Sequence, residues 1–568
     1  MKLLVTIILI ISCVLTAGAQ TYGAMYVVQF SDKNGSPYSI SNPQAFLSQR
    51  ALDRRTHQGI AISENDIPVN QTYLDGVTAT GAVVYNKSKW LNTATIFVTD
   101  TTIIPSIEAL SYVSGVIKVK PFLQQKKKKV KKGGGNSFEG QVDSKMNISI
   151  ETTEQRSEVA QRILLDYGNG FNQANMLGVD YLHGLGFMGD GMVIAVLDAG
   201  FYHADQLHMF DSLRDSGHLL GYKDFVFPGN NLFEESTHGM SVLSTMAGNV
   251  PGALVGTAPH ASYWLLRSED AGSEYEVEEY NWVAAAEYAD SVGADVINSS
   301  LGYTHFDDPA TSHTYSQMDG NTCIASRGAD LAASKGILVV NSAGNSGNDS
   351  WHYIGSPADA DSILTIGAVD AYGNIASFSS YGPSYDGEIK PTVCAQGLGT
   401  FVVSSSDGVY PGNGTSFSSP VMAGAVTCLW QANPSFTNMQ IIESVKQSSS
   451  RYSMPDSMYG YGIPSLVIAH MILSGGEFTQ PSEQNSLMAN PNPFSEEIDL
   501  VIYAVQSVTA KIQLTDNNGK VVWSNDSYNL KPGYNYLLVT DLSKLASGVY
   551  ILRVNTDTWA ASTKLIKN

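Results

Sequence analysis

Cysteine is scarce, with four in 568 residues. Cys13 lies in an apolar N-terminal stretch. That leaves Cys323, Cys394 and Cys428, an odd set that closes at most one disulfide. Their spacing is too wide for a local metal clip, and they read as small buried hydrophobes. Charge is also sparse, at 15% of residues, and one sign dominates: 33 Lys and Arg stand against 53 Asp and Glu, a net −20. A chain this acidic repels phosphate backbones, so nucleic acid is not an expected partner. Tandem repeats are missing, and so are long apolar runs beyond the first residues. The start, "MKLLVTIILIISCVLTAGAQ", has a short basic end, an apolar centre and the small residues Ala17, Gly18 and Ala19. It reads as a secretory signal peptide over residues 1–19, its apolar run being short for a bilayer span. What the chain has in quantity is core: 43% of its residues are hydrophobic, and its length suffices for several domains.

The composition divides the remainder. Residues 20–125 hold strand-like "MYVVQF", "ATIFVTD" and "GVIKVKPF" around a helical "NPQAFLSQRALDRR", a small α+β unit. Residues 126–160 carry "KKKKVKKGGGNS", a linker that cannot bury apolar surface and offers itself to a protease cutting after basic residues. Residues 161–475 alternate near-continuous apolar runs, such as "MVIAVLD", "SYWLLR" and "GILVVNSAGN", with helical segments such as "YNWVAAAEYADSVG". That pattern predicts an α/β domain with a parallel sheet covered on both faces. After a linker at 476–487, residues 488–568 read as a β-sandwich of short alternating strands, with a hairpin turn at Asn518-Gly519.

Three residues of the central unit form a chemical set. Asp198 ends the apolar run "VIAVLDAG", His238 opens a small-residue helix in "STHGMSVLSTMAG", and Ser416 lies in "NGTSFSSP" where a turn gives way to a helix. A serine hydroxyl becomes a nucleophile when an imidazole takes its proton, and a buried carboxylate fixes that imidazole's tautomer. Gly414 permits close backbone approach, and Pro420 suits a first helical turn, where N–H groups lack partners. The Ser416 N–H, at the helix start, points outward as an oxyanion donor, and Asn345 in "VVNSAGNSG" supplies a side-chain amide. The stretch "SEDAGSEYEVEEY" (268–280) reads as a solvated acidic loop, with the alternative that its charge favours basic side chains in a ligand. Metal is poorly specified. "SQMDGNT" and "DAYGN" are candidate oxygen-ligand loops without EF-hand spacing, and His203 and His208, five apart, suit zinc poorly.

Together, "VIAVLDAG", "THGMSVLSTMAG", "VVNSAGNSG" and "GTSFSSPVMAG" resemble the subtilisin family of serine proteases, in that family's Asp, His, Ser order. The resemblance spans about residues 185 to 470 and implies a subtilisin-like parallel sheet sandwiched by helices. It also implies a triad of Asp198, His238 and Ser416, with Asn345 as oxyanion donor. Ser300, Leu301 and Gly302, with Ser342, Ala343 and Gly344, are implied to flank the substrate side-chain pocket and to pair with an extended peptide. Phe417-Ser418-Ser419 departs from the family's usual motif, as does Ala199 after Asp198. Many members bind calcium, so a structural calcium stays open and no cofactor is certain. The 20–125 unit resembles the family's propeptides in position and element order, which implies an inhibitor of its own cleft. The last unit, with "NPNPF", "LTDNNGKVV", "LASGVYILRV" and "STKLIKN", is similar to the C-terminal sorting domain of the type IX secretion system. That implies the secretion machinery as a partner and export through the periplasm and outer membrane of a Gram-negative bacterium, to the cell surface or the medium. The expected activity is serine-type endopeptidase hydrolysis of peptide or protein substrates through an acyl-enzyme. The alternative is a catalytically silent surface-binding protein on the same scaffold.

Overall fold

The computed structural model describes residues 23–121, 165–474, 485–530 and 533–568. The signal peptide, all of the lysine-rich linker and most of the 476–487 linker lie outside the described residues.

The central unit is built on seven parallel strands: β1 (Val193–Asp198), β2 (Leu219–Asp224), β3 (Ser262–Arg267), β4 (Val296–Ser299), β5 (Leu338–Ser342), β6 (Leu364–Val369) and β7 (Val393–Gln396). Their order is β7-β6-β5-β4-β1-β3-β2. Strands β1, β4, β5 and β6 are buried along their whole length, because both faces are covered. Ile194 and Val196 point into one core with helices α1 (His238–Ala247) and α4 (Thr415–Ala432). Val193, Ala195 and Leu197 point into the other, with α2 (Val277–Val292) and α3 (Ile324–Ser334). That alternation is the two-residue period of a strand. The register aligns the strand ends: Asp198 pairs with Arg267, and Ser299 with Leu197 and Asn341. The carboxyl ends of β3, β1, β4 and β5 therefore form one rim, where open α/β sheets place their ligand sites.

The N-terminal unit is a four-stranded antiparallel sheet in the order Val83–Ser88, Thr93–Val98, Ala24–Phe30, Val113–Lys120, with helices Gln49–His57 and Gln71–Ala79. It docks on α2. Met25, Val27 and Val119 share a core cluster with Val277 and Tyr280. The C-terminal unit is a sandwich of a three-stranded and a four-stranded antiparallel sheet around Phe494, Leu500, Leu514 and Leu552. Gly519 sits at φ +80° in the expected hairpin turn, a backbone state that favours glycine. Cys323, Cys394 and Cys428 are free and buried. No helix among the described residues is long and apolar enough to cross a membrane.

Candidate active site

Asp198 is fully buried at the end of β1. Its Oδ1 accepts the Ala199 N–H at 2.7 Å, and it faces His238, the first residue of α1. His238 Nδ1 lies 2.9 Å from Asp198 Oδ1 and 3.0 Å from Oδ2, so its N–H donates to the carboxylate. This leaves Nε2 as the base-competent nitrogen. The approach of α1 to β1 requires Gly239: a Cβ there would lie 2.4 Å from the Gly200 carbonyl oxygen and 2.8 Å from the Asp198 Cβ. Burial alone would lower the His238 pKa, but the charge and hydrogen bond of Asp198 outweigh it and raise the pKa above the usual histidine value.

Four hydroxyls crowd the start of α4, and the structure sorts them. Thr415 Oγ1 donates to Asn345 Oδ1 at 3.0 Å. Ser418 Oγ donates to the Thr415 carbonyl at 3.1 Å, and Ser419 Oγ to Asn298 Oδ1 at 3.0 Å. Ser416 Oγ has no hydrogen bond among the described residues and is half-buried. Its neighbour Phe417 lies beside the imidazole, with ring centroids 6.3 Å apart. The structure thus joins Asp198 to His238 and brings the Ser416 turn to the same place, without a hydrogen bond between His238 and Ser416. Such bonds often tighten only when substrate is bound. Gly414, at φ +146°, makes the turn into the helix in a conformation that side chains rarely adopt.

Pro420 departs from expectation. It is the sixth residue of α4, inside the helix rather than in its first turn. A helical residue there would donate its N–H to the Ser416 carbonyl, and proline has none. The freed carbonyl accepts instead from Ser300 Oγ at 2.9 Å, which ties the serine turn to the end of β4.

The Asn345 amide is oriented by the same turn. Its Oδ1 accepts from the Thr415 N–H at 2.8 Å as well as from Thr415 Oγ1. Its Nδ2 has no acceptor among the described residues, so two amide N–H groups remain free on the side away from Thr415. The Ser416 N–H, in the first turn of α4, also lacks an intrahelical acceptor.

Ser300, Leu301 and Gly302 follow β4 and Ser342, Ala343 and Gly344 follow or end β5, on the rim beside the serine turn. Gly302 is exposed. Much of the 342–344 backbone is already engaged: the Ser342 carbonyl accepts from Asn341 Nδ2, Ala343 N–H donates to Ile366, and Gly344 donates to Thr415 Oγ1 and accepts from the Ser380 N–H. The exposed Gly302 edge is the less engaged of the two.

The acidic stretch 268–280 is not the solvated loop its composition suggests. Glu278 and Glu279 are buried on the first turn of α2, and Glu269 and Glu274 are half-buried. Asp319 and Asp370, in the two candidate calcium loops, accept hydrogen bonds from amides of their own turns. A further anchor had no motif to announce it. Buried Arg267, at the end of β3, pairs with Asp224 at 2.9 Å and donates from Nε to the Ala199 carbonyl at 3.0 Å, pinning the chain just after Asp198.

Comparison with known proteins points to one family. Residues 189–462 match the model of the subtilase family. Subtilisin from Bacillus pumilus is 31% identical over 289 residues, which make up 50% of this chain and 92% of that protein. The chain belongs to the subtilase family. Subtilisin NAT from Bacillus subtilis subsp. natto is 32% identical over 289 residues, and this subtilase covers 66% of that protein's length. Subtilisin Savinase from Lederbergia lenta is 31% identical, with 91% of it covered. The flanking units match as well. Residues 25–133 fit the peptidase S8 propeptide domain of Bacteroidota, and residues 489–568 the secretion system C-terminal sorting domain. The subtilase therefore carries a propeptide and a tail that directs its export.

Proposed function

We propose that the protein is a secreted serine endopeptidase whose triad is Asp198, His238 and Ser416. The observation that carries this reading is the Asp198–His238 hydrogen bond facing a helix start where three hydroxyls are spent on the fold and Ser416 Oγ is not. His238 Nε2 takes the Ser416 proton as Oγ attacks the carbonyl carbon of the scissile peptide. The negative charge moves to the carbonyl oxygen, which receives hydrogen bonds from Asn345 Nδ2 and the Ser416 N–H. His238 then protonates the leaving amine, and the acyl group stays on Ser416. Water enters, His238 takes its proton, and a second tetrahedral intermediate collapses to release the acid. Asp198 keeps the imidazole in the required tautomer throughout. The substrate is an extended peptide laid along Ser300–Gly302, with its side chain between that edge and Ser342–Gly344.

In this reading the propeptide, residues 20–125, inhibits the enzyme until cut. Processing falls within 126–160, the peptidase occupies 161–475, and the tail at 488–568 engages the type IX secretion machinery. The test is labelling with a serine-directed phosphonate after the propeptide has been cut away. Stoichiometric label on Ser416, lost together with casein hydrolysis in Ser416→Ala, is the expected result. A folded chain that takes no label would be a binding protein on a silent scaffold.

A further inference from the structure

Beside the Asp198–His238 pair lies a second group of acids. One carboxylate oxygen from each of Glu269, Glu274 and Glu278 falls within 4.8 Å of the others. Glu278 is fully buried, and neither of its oxygens has a hydrogen-bond partner among the described residues. An unpartnered buried carboxyl is costly, and proteins keep one where something else completes it. Burial raises all three pKa values; the charge of Asp198 adds to it at Glu269, and that of Glu269 adds to it at Glu274 and Glu278, so that Glu269 rises to about 7 and Glu274 to about 9. The site is short of positive charge.

Its position ties it to the cleft. Glu269 is two residues past Arg267, which pairs in register with Asp198. The intervening Ser268 N–H donates to the Asp198 carbonyl at 3.0 Å. The charges of Asp198 and His238 both act on Glu269. Arg267 is near, but its guanidinium is held by Asp224 and the Ala199 carbonyl.

The chain itself indicates what such a site accepts. Lys120, the last residue of the propeptide's final strand, is buried at the rim of this group. Its ammonium donates to Asp270 Oδ2 at 3.1 Å and to Ser273 Oγ at 2.6 Å, 5.3 Å from the Tyr275 ring centroid. Its charge reaches Glu274 and Glu278 and lowers both. The Lys120 ammonium therefore stays with Asp270 and Ser273, and Glu278 has no direct partner among the described residues.

We propose that Glu269, Glu274 and Glu278 form a subsite that receives the ammonium or guanidinium of a Lys or Arg side chain in the peptide substrate. The proposal rests on the peptidase reading and adds a substrate class to it. A long side chain enters past Tyr275 as Lys120 does, and its several N–H donors satisfy the acceptors that Glu278 leaves open. After propeptide removal, the substrate's cation takes over from Lys120.

The test uses the mature enzyme and paired fluorogenic peptides that differ at a single position, Lys against norleucine and Arg against citrulline. At one position the charged member should be cleaved with a kcat/KM about 10- to 100-fold higher, the span expected of hydrogen bonds to a charged group. Glu278→Gln should bring that ratio close to one, and Glu274→Gln, at a half-buried position, gives the same reading if the first variant folds poorly. The proposal fails if no position prefers the cation, or if the preference survives both substitutions. It also fails if calorimetry finds calcium bound at a site that Glu278→Gln abolishes while no cation preference exists. An enzyme that takes the phosphonate label and cuts neutral peptides without preference overturns this subsite alone. An enzyme that takes no label overturns the peptidase reading instead.

Discussion

Asp290 is the place to test how the propeptide is held. It lies on α2, fully buried, and three cations of the N-terminal unit share its carboxylate. Arg54 Nη2 is 2.6 Å from Oδ1, Arg55 Nη2 is 2.8 and 2.9 Å from Oδ1 and Oδ2, and Lys89 Nζ is 3.0 Å from Oδ2. Burial alone would raise the Asp290 pKa, but the charges of Lys89, Arg54 and Arg55 outweigh it and hold the pKa well below the usual carboxylate range. Because the folded value is depressed, the stabilisation is present above the ordinary aspartate pKa and lost only as pH falls through the lower folded value. Asp290 is thus fully engaged at neutral pH. Asp290→Asn keeps the shape and removes the charge that three buried cations face. Removing one partner of a buried pair costs about 3–5 kcal/mol. The low end applies, because Arg55 keeps Asp66 at 3.1 Å and Lys89 keeps Ser291 Oγ at 2.9 Å. A loss of about 3 kcal/mol is a roughly 100-fold weaker hold on the propeptide. The assay uses Ser416→Ala as the parent, so that the chain does not cut itself. The lysine-rich linker is nicked with trypsin, and retention of the propeptide on dilution is followed by gel filtration. Retention within about threefold of the parent would refute the reasoning, since burial on this scale cannot leave a missing counter-ion unnoticed.

Asn345→Ala should lower kcat with little change in KM. The loss is about 100- to 1,000-fold, the range known for removing one oxyanion donor from a subtilisin; a change of a few-fold would remove Asn345 from that role. The acidic limb of kcat/KM should have its midpoint above the ordinary histidine value of about 6.5, because His238 must be neutral to act and Asp198 favours its charged form. The stability that His238 gains from Asp198 runs the other way, full at low pH and lost as pH rises through the raised folded pKa. Asp198→Asn should shift the limb to lower pH and cut kcat by about 10,000-fold; a parent limb at or below 6.5 would contradict the assignment.

Much of this fold was legible because the inner strands are covered on both faces. Val193–Asp198 and Leu338–Ser342 carry no exposed residue, and their apolar runs stand out from any surface segment. Strand β2, Leu219–Asp224, stands out less for the converse reason: it is an edge strand, with Leu220, Tyr222 and Lys223 exposed. The first and last strands of the C-terminal sandwich, Ser486–Asn490 and Ala560–Lys567, mix small and polar residues in the same way. The residues proposed to react lie in motifs, but the contacts that hold them do not. Arg267 with Asp224, Thr415 with Asn345 and Ser300 with the Ser416 carbonyl are all separated by tens of residues or more. Each depends on the register of parallel strands, which local composition does not encode.

The two misread segments share one physical cause. Composition says how much a residue would cost to bury, not whether the fold buries it. "SEDAGSEYEVEEY" is acidic enough to be a surface loop, yet α2 begins inside it and carries Glu278 into a fully buried position. Pro420 breaks helices in isolation, yet here it lies within one because the carbonyl it strands has Ser300 at hand. In both places a local rule is broken next to the residues proposed to react. In the second, the break is compensated within the fold: the Ser416 carbonyl, without a donor from Pro420, takes the Ser300 hydroxyl, which ties Ser416 to the end of β4. In the first, the compensation is incomplete, since Lys120 neutralises the rim and leaves the floor unpaired. Folds violate local preferences mainly at functional sites, so the uncompensated site is where a ligand should be sought.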